Sequence, residues 1–273
     1  MMTGQTLPLV KLGKTDIDVS PIGLGTVKFG RNEGVKYPLD FSVPDDIHIS
    51  VLLAQAKSLG INMLDTAPAY GKSEERLGEI LYGQRKDWVI VGKAGEEFED
   101  GKSTYIFTPD HFEMSLERSL KRLKTDHLDV LLIHSDGNDM DILENDALMK
   151  KMHSFKEQGL VRAIGASTKT VEGGMRALDT MDVVMACYNP VYTDEERVLN
   201  YAGRYGGAVL LKKLLASGHV DKLGTQDDPV QHAMDFAFSH NGVTSAIIGT
   251  INPHHLRENV MACLRSLEKV RAA

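Results

Sequence analysis

WVIVGKAGEEFEDGKSTYIFTPDHFEMSLERSLKRLKTDHLDVLLIH, residues 88–134, contains the alternation that decides the fold. Its two ends, Trp88–Lys93 and Leu128–His134, are short runs rich in Val, Ile and Leu, the composition of strands buried on both faces. Between them, Thr108-Pro109 sets a hydroxyl residue before a proline at the first helical position. Phe112, Leu116, Leu120 and Leu123 then form one apolar stripe. Strand, connection, helix and strand make one β/α unit of a parallel sheet.

The same alternation runs outward in both directions. Further strands are expected at Ile22–Leu24, Asn62–Asp65, Val161–Ser167, Val183–Cys187, Ala208–Leu211 and Thr244–Ile248, each followed by a segment able to form a helix. Eight units predict an α/β chain folded as a (β/α)8 TIM barrel, one domain over residues 1–273. Asn252-Pro253 repeats the capping device, with Leu256, Val260, Leu264 and Leu267 behind it. Ahead of the barrel, Leu7–Leu12 and Ile17–Ser20 flank a polar turn with Gly13, Lys14 and Asp16, which predicts a hairpin closing one end. Thr26–Asp45 and Ala94–Phe107 read as the longest loops.

Composition narrows the function. A net charge of −7, with Lys and Arg dispersed, excludes the basic face that nucleic-acid binding needs. Two cysteines, Cys187 and Cys263, lie far apart in structured segments and read as buried thiols instead of a disulfide or metal site. Neither a signal peptide nor a run of ~20 apolar residues is present, so a cytoplasmic protein without membrane contact is expected.

In a barrel of this kind the chemistry sits on the loops after the strands. Three expected strands end on ionisable residues, Asp65, Lys93 and His134, and Tyr70 follows Asp65 by five positions. A carbonyl accepting hydride needs donors at its oxygen and finally a proton. Tyr70 can supply that proton; Lys93 is expected to lower the phenol's pKa, Asp65 to keep Lys93 charged, and His134 to orient the substrate oxygen.

DTAPAYGKSEERLGEIL at 65–81, with VIVGKAG around Lys93 and LDVLLIH ending at His134, resembles the aldo-keto reductase signature. LGKTDIDVSPIGLGT at 12–26, IGAST at 164–168 and IIGTINPHHLRENV at 247–260 extend the similarity along nearly the whole chain. The resemblance implies a catalytic tetrad of Asp65, Tyr70, Lys93 and His134, a nicotinamide cofactor, and a small carbonyl or alcohol substrate on a monomer or small homo-oligomer. It also implies cofactor contacts at Gly25, Thr26, Asp65, Ser167, Thr168, Met185, Lys212, Gly249, Thr250, His255 and Asn259. The chain departs from the family at Thr168, Met185 and Lys212, where an Asn, a Gln and a stacking ring are usual. The family leans towards NADP(H); Gly249 and His255 in place of basic residues lean towards NAD(H).

Each residue has a plainer reading. Asp65 could cap a loop, Lys93 lie on the surface and His134 be a core histidine, but their joint placement favours chemistry. His48, His111, His153 and His240 read as packing or solvated side chains, and Gly23-Leu24-Gly25 lacks a dinucleotide context. Phe29, Tyr37, Phe41, Phe98 and Tyr105 could line a substrate wall or anchor loops. Two rivals stand beside the reductase: a cofactor-sensing interaction module, favoured by Met185 and Lys212, and a metal-dependent barrel using His134, Asp65 and Asp136.

Overall fold

Successive strands in the computed structural model, which describes residues 6–224 and 227–272, lie side by side in sequence order and close into a ring. The described strands are β1 (Val10–Lys11), β2 (Asp18–Val19), β3 (Ile22–Gly25), β4 (Met63–Asp65), β5 (Val89–Ala94), β6 (Glu96–Glu99), β7 (Lys102–Tyr105), β8 (Leu128–His134), β9 (Val161–Ser167), β10 (Val183–Cys187), β11 (Ala208–Lys212) and β12 (Ser245–Ile248). The eight strands β3, β4, β5, β8, β9, β10, β11 and β12 form a closed parallel barrel, with β12 pairing back onto β3. This is the (β/α)8 TIM barrel expected from the alternation, and each expected strand is found to within a residue or two of its ends.

Side chains alternate across a strand, so residues two apart share a face. Met63, Val89, Val91, Val130, Leu132, Ala163, Val183, Met185, Ala208 and Leu210 point inward and pack on one another. Leu12, Ile17 and Val19 of the antiparallel β1–β2 hairpin join that cluster and plug the end from which the strands start. Gly23 faces the same interior: a Cβ there would lie 2.6 Å from Met63 Cε and 2.7 Å from Ile247 Cδ1, so its glycine serves barrel packing. A second, larger apolar layer fills the space between strands and helices, including Phe112, Leu116 and Leu123 of the helix Pro109–Leu123. The caps form as read: Thr108 accepts from His111 N at 3.3 Å and Asn252 Oδ1 from His254 N at 2.8 Å.

One loop reading is corrected. Ala94–Phe107 is not irregular: β6 and β7 make an antiparallel hairpin turning at Asp100-Gly101, both at positive φ (49° and 76°). That is the backbone a tight two-residue hairpin turn demands, and Asp-Gly is a pair that adopts it readily. The hairpin lies against the turn carrying Tyr70. Among the described residues no helix is long and apolar enough to cross a membrane.

Candidate active site

Continuing the inward alternation along each strand, by two residues on four of them and by four on β9, reaches Asp65 on β4, Lys93 on β5, His134 on β8, Ser167 on β9 and Lys212 on β11. All five therefore crown the same mouth, and Ser167 is in register with His134 on one side and Met185 on the other. Tyr70 closes a single 3-10 turn, Pro68–Tyr70, after β4. That turn is fixed from below by Arg31 Nη1, which donates to Ala69 O at 2.9 Å. It is fixed from the side by Gly30, where a Cβ would overlap Tyr70 O and Ser73 N.

The four tetrad positions converge. Lys93, 2% exposed, is ion-paired to Asp65, 4% exposed, and its ammonium donates to Tyr70 Oη at 3.0 Å and Thr66 O at 3.2 Å. Tyr70 Oη also lies 3.4 Å from Asp65 Oδ2, and the Tyr70 and His134 rings meet edge to face with centroids 6.4 Å apart. A buried ion pair survives because both charges are paired and hydrogen-bonded.

The net shift on the phenol runs opposite to the expected lowering. Burial first, then the Asp65 carboxylate, Glu96 and Tyr37, hold the Tyr70 pKa well above its ordinary value. The carboxylate that neutralises the ammonium also repels a phenolate, so Tyr70 keeps its proton at neutral pH. His134 is pushed below the usual histidine range, chiefly by burial and further by Lys93 and Lys212, against the opposing pull of Glu96. Its Nδ1 lies 2.9 Å from Glu96 Oε2 on β6, with the oxygen displaced from the N–H direction. Burial alone would raise the Glu96 carboxyl; His134, Ser103 and Arg31 outweigh it and bring it down to about 2. Strand-end reasoning missed Glu96, although Asp100-Gly101 between two polar runs could have revealed its hairpin.

The cofactor candidates separate into groups. Thr26 is fully buried with its hydroxyl committed, donating to Asp65 O at 2.9 Å and accepting from Ser73 Oγ at 2.7 Å, so it braces Asp65. Met185, 3% exposed, packs in the barrel interior beside Ser167, its neighbour on the adjacent strand. Lys212 Nζ donates to Ser167 Oγ at 3.0 Å and Thr168 O at 2.5 Å. Burial lowers its pKa to about 8 against the pull of Glu195, itself raised by burial to about 7. Gly25 and Gly249 edge β3 and the loop after β12, and Tyr37 Oη would lie 3.4 Å from a Cβ at Gly249. Thr250 Oγ1 accepts from Asn252 N at 3.1 Å, His255 is exposed on the first turn of the helix Pro253–Ala272, and Asn259 is buried one turn on.

These residues fit a nicotinamide. Thr168 Oγ1 is buried with no hydrogen-bond partner among the described residues, beside Ser167 and the Lys212 ammonium, as a carboxamide requires. The start of the helix Pro253–Ala272, capped at His254 N by Asn252, keeps further N–H groups in its first turn and carries the Arg257 cation nearby, as a phosphate requires.

The remaining sequence readings sort quickly. Phe29 is a core anchor, while Tyr37 and Phe41 pack edge to face beneath Lys28 near the mouth. Arg31 stacks on Phe98 at 3.3 Å, and Tyr105 stacks on Phe107. Within the acidic stretch after β8, Asp139 is buried and accepts from Lys169 N at 2.8 Å and Thr170 N at 2.7 Å, tying two loops together. His111 is buried against Glu97 at 3.2 Å and His240 packs edge-on to Tyr188. Cys187 and Cys263 are free and buried.

Comparison with known proteins places this geometry. The profile of the aldo/keto reductase family matches residues 21–233, and the chain belongs to that family. A solved Pseudomonas aeruginosa chain assigned to the aldo-keto reductases is 47% identical, superposes with a TM-score of 0.88, and covers 98% of this chain and 100% of its own. The aldo-keto reductase YhdN of Bacillus subtilis is 31% identical over 70% of this chain and 57% of its own length. The uncharacterized oxidoreductase YqkF of the same organism is 30% identical over 58% and 48%. The chain thus spans about half the length of these curated relatives.

Proposed function

We propose that this chain is a nicotinamide-dependent oxidoreductase that interconverts a carbonyl group and its alcohol on a small molecule, with Tyr70 as proton donor. The observation that carries the reading is the contact chain Asp65–Lys93–Tyr70 with His134 facing it across the mouth. Family membership supports the redox class.

When bound, the nicotinamide supplies or accepts the hydride. Tyr70 stays protonated through neutral pH and hands its proton to the oxygen that gains charge. Lys93, donating to the phenol oxygen, stabilises the phenolate left behind, and Asp65 holds Lys93 in place. Ser167, Thr168 and Lys212 bind the carboxamide end. NADP(H) is preferred over NAD(H), on the family's usual cofactor and on Arg257, which stands exposed near the start of the helix Pro253–Ala272.

Consumption of reduced nicotinamide with a panel of aldehydes, ketones and aldoses tests the reading, run with both NADPH and NADH. Tyr70→Phe is expected to fold, to bind cofactor, and to lose turnover by about 10²–10⁴-fold. Full activity in that variant removes Tyr70 from the mechanism. Tight cofactor binding with no turnover by the unaltered protein would favour the interaction-module reading suggested by Lys212.

A further inference from the structure

The hairpin at Glu96–Tyr105 brings into the mouth a carboxylate that the strand ends do not supply. Glu96 is 9% exposed, and its Oε1 accepts from Ser103 Oγ at 2.5 Å, across the hairpin. Its Oε2 lies 2.9 Å from His134 Nδ1. That nitrogen is buried and makes no hydrogen bond among the described residues, the Glu96 oxygen standing off the N–H direction, but a lone pair there would face the carboxylate at 2.9 Å. A carboxylate only accepts hydrogen bonds, whereas a neutral imidazole has one N–H and one lone pair. The proton of a neutral His134 therefore belongs on Nδ1, towards Glu96, which leaves Nε2 as a lone pair.

We propose that Glu96 is a positioning residue that fixes the His134 tautomer, so that Nε2 accepts from a substrate hydroxyl when the ring is neutral and donates to a carbonyl oxygen only when the ring is protonated. The inference rests on the oxidoreductase reading above and adds a selector to it. Tyr70 remains the proton donor in carbonyl reduction, and the imidazolium adds a second hydrogen bond to the oxygen that gains charge. The neutral ring instead complements an alcohol or sugar-lactol hydroxyl. Carbonyl and alcohol forms of one substrate are thus told apart by the charge on a single ring.

The groups facing that ring are Glu96 from the hairpin, Lys93 from β5, Lys212 from β11 and Tyr70 from the turn after β4, with Arg31 behind Glu96. Burial and the two lysines disfavour the imidazolium and Glu96 favours it. Carbonyl reduction is accordingly expected to strengthen, and alcohol binding to weaken, as the pH falls below the usual histidine range, with neither changing on this account above neutral.

The test begins on cofactor-free protein labelled with ¹⁵N-histidine, His134 being assigned from the spectrum of His134→Asn. Neutral His134 is expected as the Nδ1–H tautomer, with that preference lost in Glu96→Ala. In Glu96→Gln the ring should titrate at lower pH than in the unaltered protein, because the anion that favours its charge is gone. With cofactor present, Glu96→Gln is expected to cut kcat/KM for carbonyl reduction at mildly acidic pH by about tenfold, the scale of one hydrogen bond to a charged group. Alcohol oxidation should change less, and Glu96→Asp should restore part of the loss.

A neutral His134 carrying its proton on Nε2 overturns the proposal, as does an equal loss in both directions with an unmoved histidine titration. If the unaltered protein turns over no carbonyl or alcohol, the oxidoreductase reading fails; the tautomer measurement still decides the role of Glu96.

Discussion

Replacing Lys93 by methionine separates folding from chemistry at the base of the mouth. The substitution conserves most of the side chain's volume but removes the ammonium, leaving Asp65 with no cation and Tyr70 Oη with no Lys93 donor. Both members of the pair are almost fully enclosed, at 2% and 4% exposure, so solvent screens the remaining charge poorly. Breaking such a pair on one side costs about 3–5 kcal/mol, whereas replacing both partners by apolar groups is often close to neutral. For a protein of this size about 1 kcal/mol moves the melting temperature by roughly 2–4 °C, so the single variant should melt about 6–20 °C below the unaltered protein. The double variant Lys93→Met, Asp65→Leu should recover most of that loss while remaining inactive. Differential scanning calorimetry on the three proteins measures the effect. A single variant within about 2 °C of the unaltered protein, or a double variant no better than the single, refutes the view that the pair is held by mutual neutralisation in a dry site.

Other groups at the mouth give sharper pH signatures. Lys212, held near 8 in the folded protein against roughly 10.4 when unfolded, binds fewer protons folded than unfolded between those values. Its contribution therefore makes stability rise with pH across that window, and Lys212→Met should abolish the rise in a melting-temperature profile; an unchanged profile contradicts the burial of the amine. Cofactor affinity should bend near pH 8 in the unaltered protein and stay flat in that variant, as read by nicotinamide fluorescence titration. Glu195, 2% exposed and raised to about 7, binds more protons folded than unfolded between roughly 4.3 and that value. It makes stability fall as pH rises through this interval, and Glu195→Gln should flatten that stretch of the curve. A fall of the same size in the glutamine variant assigns it to other groups.

Much of this arrangement is legible without coordinates, for reasons particular to the chain. The barrel strands announce themselves because each is an apolar run buried on both faces, as in Leu128–His134. Asp65, Lys93 and His134 stand out because an ionisable residue at the end of such a run has few structural uses. The β6–β7 hairpin escaped because EEFE and KSTY, with most of their residues at least partly exposed, lack the apolar alternation that reveals a half-buried ribbon. Its one legible mark, Asp100-Gly101, sits between polar runs. Glu96 meets His134 across 38 positions of sequence, through side chains from two different strand ends, and no local pattern encodes that meeting. The direction of the Tyr70 shift was also hidden: one nearby ammonium suggests a more acidic phenol, whereas burial first, and then the Asp65 carboxylate, raise its pKa.

The hairpin formed by β1 and β2 has a kinetic meaning. Leu12, Ile17 and Val19 lie against the side chains that already fill the cylinder, so the far end adds a seal to a solid floor and no second entrance exists through it. On the proposed function, whatever reaches Tyr70 arrives and departs from the rim where the strands finish, and a turnover rate set by departure is the outcome to look for in burst-phase kinetics.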